Sequence, residues 1–224
     1  EYSVRHLQQD ELLKGHMRKI VLTGAAGLVG QNLVARLKSR PDLELVGIDK
    51  HAANIEIFRK THPTVPIVEA DLAKAGSWSD HLKGADTVII NQAQIGGLSY
   101  DEFEANNVAA TANILDAMRV HDVPYFVGIS SSVVNSVAND FYTRSKTAQE
   151  KLFVASSIPH IILRPTLMFG WFDRKHLGWL RRFMDRAPFF PIPGNGKFIR
   201  QPLYVGDFAS VIIAAIERKQ TGIY

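Results

Sequence analysis

From Arg18 onward, short runs rich in β-branched residues alternate with longer amphipathic stretches. That rhythm is the mark of βαβ units and a parallel sheet. Strands are expected at 18–23, 44–49, 66–69, 86–91, 124–130 and 159–164, and helices at 28–39, 53–60, 101–120 and 140–156. The fold class that follows is α/β, a doubly wound parallel sheet of the Rossmann type. Pro41 and the pair Pro63 and Pro66 punctuate the connections. Asp101, Glu102 and Glu104 load acid into the first turn of the third long helix, where its dipole favours negative charge. Beyond Arg164-Pro165 the rhythm changes: a Gly/Pro/aromatic stretch from Pro188 to Gly196 precedes a strand near 199–204 and a helix at 207–218, and another strand begins at Thr221. This divides the chain into a dinucleotide-binding domain at 17–165 and a partial C-terminal substrate-binding region at 166–224. Gly15-His16-Met17 reads as a cloning remnant before a native start, so residues 1–16 are expected to be a vector-derived or disordered leader.

The first expected strand runs into Thr23-Gly24-Ala25-Ala26-Gly27-Leu28-Val29-Gly30. In such a loop Gly24 permits the tight turn, Gly27 lets the backbone approach a pyrophosphate, and Gly30 lets the helix pack on the strand. The N-terminus of the helix faces the phosphate charge, with Ala26, Leu28 and Val29 beside it. The spacing is G-x-x-G-x-x-G, and glycine-rich turns of this kind also occur for packing alone. Asp49 ends the second strand, where a carboxylate accepts bonds from ribose hydroxyls and repels a 2′-phosphate, which favours NAD over NADP. A turn or helix cap is the other reading of Asp49, and Lys50 and His51 beside it leave room for NADP. Asp71-Leu72 meets the adenine edge or is simply a capping carboxylate with its neighbour.

Tyr142 and Lys146 lie one helical turn apart on one face of the fourth long helix. An ammonium beside a phenol favours the phenolate and so lowers the Tyr pKa toward working pH, making Tyr142 a candidate proton donor and acceptor. Ser130-Ser131-Ser132 ends the fifth strand at the ligand-holding edge of the sheet. Ser132 there can bond the reacting oxygen together with Tyr142, whereas a polar strand end making local turns is the plainer reading. Asn107, a poor helix former in mid-helix, either holds a water or backbone near Lys146 or is merely exposed.

A chain of 224 residues with 46% hydrophobic and 21% charged residues suits one domain or one domain and part of another. It has no apolar run of membrane-spanning length and no export signal, and with zero cysteines it has neither disulfides nor Cys-ligated metal, so a cytoplasmic protein is expected. Its eight histidines form no ligand spacing with carboxylates, so no metal is expected. The net charge of +4 gathers at Arg174-Lys175-His176 and Arg181-Arg182, a solvated helix face or an anionic-substrate site; it forms no stripe for nucleic acid. Trp171, Phe172, Trp179 and Phe183 are expected in the core or in a lid, with a helix near 174–186 capping the site.

Taken jointly, the glycine loop, Asp49, Asp71-Leu72, Asn107-Val108, the serine triplet, Tyr142-x-x-x-Lys146, Arg164-Pro165 and Arg200…Tyr204-Val205-x-Asp207 resemble the extended short-chain dehydrogenase/reductases, the NAD-dependent epimerase/dehydratase enzymes that mostly act on nucleotide sugars. The resemblance implies NAD bound at Gly24, Ala26, Gly27, Leu28, Val29, Asp49, Asp71, Leu72, Ala93, Ser130, Tyr142 and Lys146. It implies Ser132, Tyr142 and Lys146 as catalytic residues supported by Asn107, and Ser132 and Arg200 as substrate contacts, Arg200 on the nucleotide diphosphate. It also implies a homodimer through the helices at 101–120 and 140–156. Several positions depart from the family pattern. Val134-Asn135 stands where a Tyr-Gly pair opens a longer loop, and Leu167 stands where epimerases carry a diphosphate-binding Asn. Asn91-Gln92-Ala93 replaces the common His-x-Ala, and the family's chains run longer. Ser132-Val133 stands where dehydratases carry Asp-Glu, so dehydration lacks its acid and base. The expected activity is epimerisation or keto reduction of a nucleotide sugar with NAD; a catalytically quiet NAD-binding sensor or assembly subunit is the alternative.

Overall fold

Runs such as Ile20-Val21-Leu22 and Val88-Ile89-Ile90 bury both faces of a strand, as a central parallel sheet requires. The computed structural model describes residues 17–174, 176–189 and 194–224; the leader expected at 1–16 lies outside them. In chain order the strands are β1 (Arg18–Thr23), β2 (Leu43–Asp49), β3 (Ile67–Glu69), β4 (Thr87–Ile90), β5 (Phe126–Ile129), β6 (His160–Leu163), β7 (Leu167–Phe169), β8 (Pro202–Tyr204) and β9 (Gly222–Ile223). Seven form one sheet in the order β3-β2-β1-β4-β5-β6-β9, and β7 and β8 pair separately. Every pairing is parallel. The order turns back at β1, between β2 and β4, which opens a crevice beyond the carboxyl ends of these strands.

Helices cover both faces. One core cluster joins the sheet to α1 (Leu28–Leu37), α2 (Ala52–Thr61) and, through Val205, Phe208, Ala209 and Ile212, to the C-terminal helix Val205–Arg218. The other joins it to Trp78 and Leu82, to Ile114 and Met118, and to Phe153. Residues 205–224, expected to belong to the substrate region, therefore return to the main sheet, where Arg164 N donates to Tyr224 O at 2.7 Å.

The helix expected over 101–120 is not uniform. It opens as α3 (Tyr100–Phe103), widens into a π-helical stretch at Glu104–Ala109 and continues as α4 (Ala110–Val120). The remaining helices are α5 (Phe141–Ala155), α6 (His176–Met184) and α7 (Val205–Arg218). Strand β7 was not foreseen, because Leu167-Met168-Phe169 is too short a run to stand out beside Arg164-Pro165. The strand expected at 199–204 contracts to β8. Among the described residues no helix is long and apolar enough to cross a membrane.

Candidate functional site

The crevice holds a cavity of about 730 Å³ whose walls come from the carboxyl ends of the sheet strands, α1, α2, α5 and residues 166–174. That size suits a small molecule or cofactor. Gly24 makes the turn out of β1 at φ +62, and a Cβ there would stand 3.0 Å from the Gln92 backbone. Gly30 sets the helix against the loop, where a Cβ would lie 2.4 Å from Ala25 O.

Gly27 supplies the observation that tests a dinucleotide. It is the N-cap of α1 with no side-chain cap, and a Cβ on it would meet only Gly24 O, at 3.2 Å, otherwise extending into the cavity it lines. A bare backbone surface at an open helix N-terminus is what a pyrophosphate needs. Ala26, Leu28 and Val29 line the same wall.

Across from the loop, Asp49 is buried at the end of β2 and lines the cavity. Its Oδ2 accepts from Ala26 N at 3.0 Å, and its Oδ1 from Lys50 N at 2.8 Å and His51 N at 3.0 Å. The cap and the ribose-binding readings are thus not exclusive, since one carboxylate pins the loop and faces the ligand space. Asp71, Leu72 and Ala93 complete this side, although Asp71 Oδ1 also accepts from Ala73 N at 3.1 Å.

At the other end stand Ser131, Ser132, Val133 and Tyr142. Asp140 caps α5 through Thr143 N at 2.8 Å and so sets the half-buried Tyr142 at the cavity wall. The expectation that Lys146 lowers the phenol's pKa is not met. Burial pushes Tyr142 up, a hydrogen bond with Ser131 partly opposes this, and the charge of Asp140 adds to it. Lys146 is fully buried, donates from Nζ to Ile129 O at 2.8 Å and to Gln149 Oε1, and lies outside the lining. Burial brings its ammonium down to about 7, opposed by the charge of Glu150.

These residues meet what a match over residues 20–224 indicates: that stretch fits the model of the NAD dependent epimerase/dehydratase family. The chain belongs to this family. A trifunctional UDP-glucose 4,6-dehydratase/3,5-epimerase/reductase of Arabidopsis thaliana is 27% identical over 241 residues, 92% of this chain and 36% of that protein. A UDP-glucose 4-epimerase of Vibrio cholerae is 24% identical over 226 residues, 89% of this chain and 67% of that protein. In structure, a UDP-glucuronic acid 4-epimerase of Bacillus cereus solved with NAD superimposes with a TM-score of 0.79 at 23% identity, covering 92% of this chain and 78% of that one. The chain thus spans little more than a third of the first of these relatives.

Within this family fold, three expected site residues besides Lys146 lie off the cavity. Ser130 is buried and donates to Glu150 Oε2, beside Arg164 Nε at 3.0 Å from the same oxygen. Burial pushes the Glu150 carboxyl up, but hydrogen bonds from Arg164 and Ser130, with the charges of Arg164 and Lys146, hold it below its ordinary value. Ser131 takes the lining place in its stead. Arg200 is exposed ahead of β8 and is not a lining residue. Asn107 is wholly buried, so the exposed reading fails. Its Oδ1 accepts from Gln94 N at 2.7 Å, and its Nδ2 donates to Gln94 O at 3.1 Å and Ser145 Oγ at 2.9 Å. The π-helical widening around it is the kind of local irregularity that gathers at functional sites.

The aromatic and basic residues after β7 also differ from expectation. Phe172, Asp173 and Arg174 line the cavity, and Arg174 Nη1 donates to Asn54 Oδ1 at 3.0 Å, but among the described residues none of α6 lines it. Trp171 and Trp179 are exposed rather than core. Lys175, expected within the basic cluster, is outside the described residues. Lys50 was read only as leaving room for NADP, and Asn106 and Gln94 were not singled out, yet Lys50 Nζ donates to Asn106 Oδ1, and Asn106 Nδ2 to Gln94 Oε1 at 3.2 Å. Asn and Gln in a stretch otherwise read as helix and strand end were the available signal.

Proposed function

We propose that this chain binds NAD along the glycine loop and Asp49 and exchanges hydride at a carbinol or carbonyl carbon of a nucleotide sugar, as an epimerase or a ketoreductase. The observation that carries the reading is one cavity lined by the glycine loop and Asp49 at one end and by Ser132 and Tyr142 at the other. NAD supplies, when bound, the acceptor or donor of hydride.

The residues then divide the remaining work. Tyr142, whose phenol form burial favours, donates its proton to the oxygen of a keto group during reduction, and the phenolate is the form that takes the proton of the hydroxyl during oxidation. Ser132 bonds the same oxygen and fixes its position. Lys146, beneath the wall, supports the ribose side of the site. In an epimerase the keto sugar turns over between the two transfers, whereas in a reductase the alcohol departs. The nucleotide-sugar assignment draws on the relatives' substrates, UDP-sugars by their names. We also read the exposed faces of the helical stretches 101–120 and 140–156 as the homodimer contact.

The test is to purify the protein, release any bound nucleotide with acid, and then supply UDP- and dTDP-hexoses with NAD or NADH. Retained NAD with interconversion of C4 epimers and no net change in NADH establishes an epimerase. NADH consumed in proportion to alcohol formed establishes a reductase. Binding of NAD with no turnover on any keto or hydroxy sugar overturns the enzymatic reading in favour of a sensor or assembly subunit.

A further inference from the structure

Gln149 sits on the inner face of α5, fully buried, one turn beyond Lys146. Its Oε1 accepts from Lys146 Nζ, and its Nε2 donates to Thr111 Oγ1 at 2.8 Å. That same hydroxyl accepts from Gln92 Nε2 at 3.2 Å and donates to Asn107 O at 2.7 Å. Gln92 Oε1 in turn accepts from Thr23 Oγ1 at 2.6 Å. An unbroken chain of side-chain hydrogen bonds therefore runs from Lys146 to the residue that precedes Gly24.

An ammonium removed from water needs acceptors for its hydrogens, or it loses its charge. Ile129 O, on β5, is one acceptor of Lys146 and Gln149 Oε1 is the other side of the clamp. The carboxamide cannot swing away freely, because its nitrogen is committed to Thr111. The charged group acting on Lys146 is Glu150 on its own helix, paired with Arg164 at the end of β6; Tyr142, on which the charge of Asp140 acts, is the titratable neighbour one turn before it. The contacts from β5 and α4, Ile129 O and Thr111 Oγ1, do not titrate.

We propose that Gln149, itself held by Thr111 and Gln92, is a positioning residue for Lys146: it keeps the ammonium charged on the Ile129 carbonyl beneath the cavity and links it through Thr23 to the glycine loop. The functional consequence rests on the reading of Lys146 as the residue that supports the NAD ribose. The positioning itself does not.

Two measurements separate these. Lysine labelled with ¹³C at Cε gives a titration curve for Lys146, its signal identified by its loss in Lys146→Met. Gln149→Met, of similar shape and without the acceptor, should lower the midpoint by about one pH unit, and Gln149→Glu should raise it by about as much, by adding an opposite charge. Gln92→Met should move it the same way as Gln149→Met, but less. A folded Gln149→Met with an unmoved midpoint, even with a lowered melting temperature, overturns the proposal. If that variant does not fold, Gln149→Glu decides alone, and no upward movement overturns it. The second measurement titrates NADH by fluorescence across the same pH range. Its affinity should fall on the alkaline side with a midpoint that follows the NMR value. An NMR midpoint that shifts while NADH affinity stays flat keeps the positioning role and removes the NAD-ribose role of Lys146.

Discussion

The carboxylate of Asp49 accepts the amide hydrogen of Ala26 at 3.0 Å, tying the end of β2 to the glycine loop. A 2′-phosphate placed against this carboxylate would meet like charge with no room for the side chain to withdraw, because its other oxygen is held by Lys50 N and His51 N. NAD is therefore expected to bind about tenfold or more tightly than NADP. Calorimetric titration of both cofactors checks this, and Asp49→Asn should narrow the gap by improving NADP more than it weakens NAD. Equal affinities for the wild type would show that Lys50 and His51 outweigh the carboxylate.

Tyr142 lines the cavity and contacts Ser131, whereas Lys146 lies below the wall. Tyr142→Phe should lower turnover by about 10²–10⁴-fold, the usual worth of a general acid/base, with cofactor affinity within about twofold. Lys146→Ala should lower both turnover and cofactor affinity. Stopped-assay rates and NADH titration on the two variants distinguish them, and a Tyr142→Phe enzyme of near-normal rate would remove Tyr142 from the chemistry.

Much of this arrangement was legible in the residues alone. The main sheet followed from apolar runs that had to be buried, and the glycine loop and Asp49 from the backbone demands of a phosphate site, which are local. Asn107 showed why the rest was not. Its oddness in mid-helix was visible, but the partner that explains it, the backbone of Gln94, is brought in by the sheet, and periodicity carries no signal for a π-helical stretch. The pKa of Tyr142 failed for a related reason. The helical spacing of Tyr142 and Lys146 fixes their shared face, but not the acceptors, Ile129 O and Gln149, that claim the ammonium. Ser130 and Ser131 likewise could not be told apart without knowing which of them Glu150 would take.

Asn107 satisfies both backbone groups of Gln94 and the hydroxyl of Ser145 from a wholly buried position. Asn107→Ala strands the two Gln94 groups, and a buried polar group left without a partner costs about 1–3 kcal/mol. Urea unfolding should show a loss of that size. Ser145 Oγ also donates to Tyr142 O at 2.9 Å, so turnover should fall with it while Asp49-side binding of NAD holds.

Lys146 carries a pH signature. Its folded-state pKa of about 7 lies below the ordinary 10.5, so across that interval the unfolded chain binds a proton that the folded chain does not. Stability contributed by this residue therefore rises with pH from about 7 to 10.5, and the penalty is complete below that window. Lys146→Met has no such penalty. It should be more stable than the wild type near pH 6, by about 1 kcal/mol or more, with the difference shrinking as pH rises through the window. Denaturant midpoints of both proteins across that pH range test it; a difference independent of pH would mean that Lys146 stays charged throughout.

Dehydration sets the sharpest limit on the chemistry. Removing water from a hexose needs an acid for the leaving hydroxyl and a base for the proton on the neighbouring carbon, each within hydrogen-bond reach. Beside Tyr142 the wall offers Ser131, Ser132 and Val133, none of which can do this work. Among the described residues three carboxylates line the cavity, Asp49, Asp71 and Asp173, and each accepts from a backbone N–H elsewhere: Ala26, Ala73 and Gly178 respectively. Asp140 is the nearest other candidate by sequence. It is bound to Thr143 N at 2.8 Å and Thr143 Oγ1 at 3.1 Å, and the first of these bonds holds its carboxyl below the ordinary range, so it is neither free nor protonated to act as an acid. No 4,6-dehydratase activity is therefore expected on any nucleotide hexose, although hydride exchange at a ring carbon should be detectable. Incubating UDP- and dTDP-hexoses with the protein and NAD, and looking by mass spectrometry for a 4-keto-6-deoxy product lighter by one water, decides the matter. Its formation would require an acid and a base to reach the ring from outside the wall around Tyr142, and Asp140→Asn would then be the first variant to make, since loss of the product would show that the α5 cap opens during the reaction.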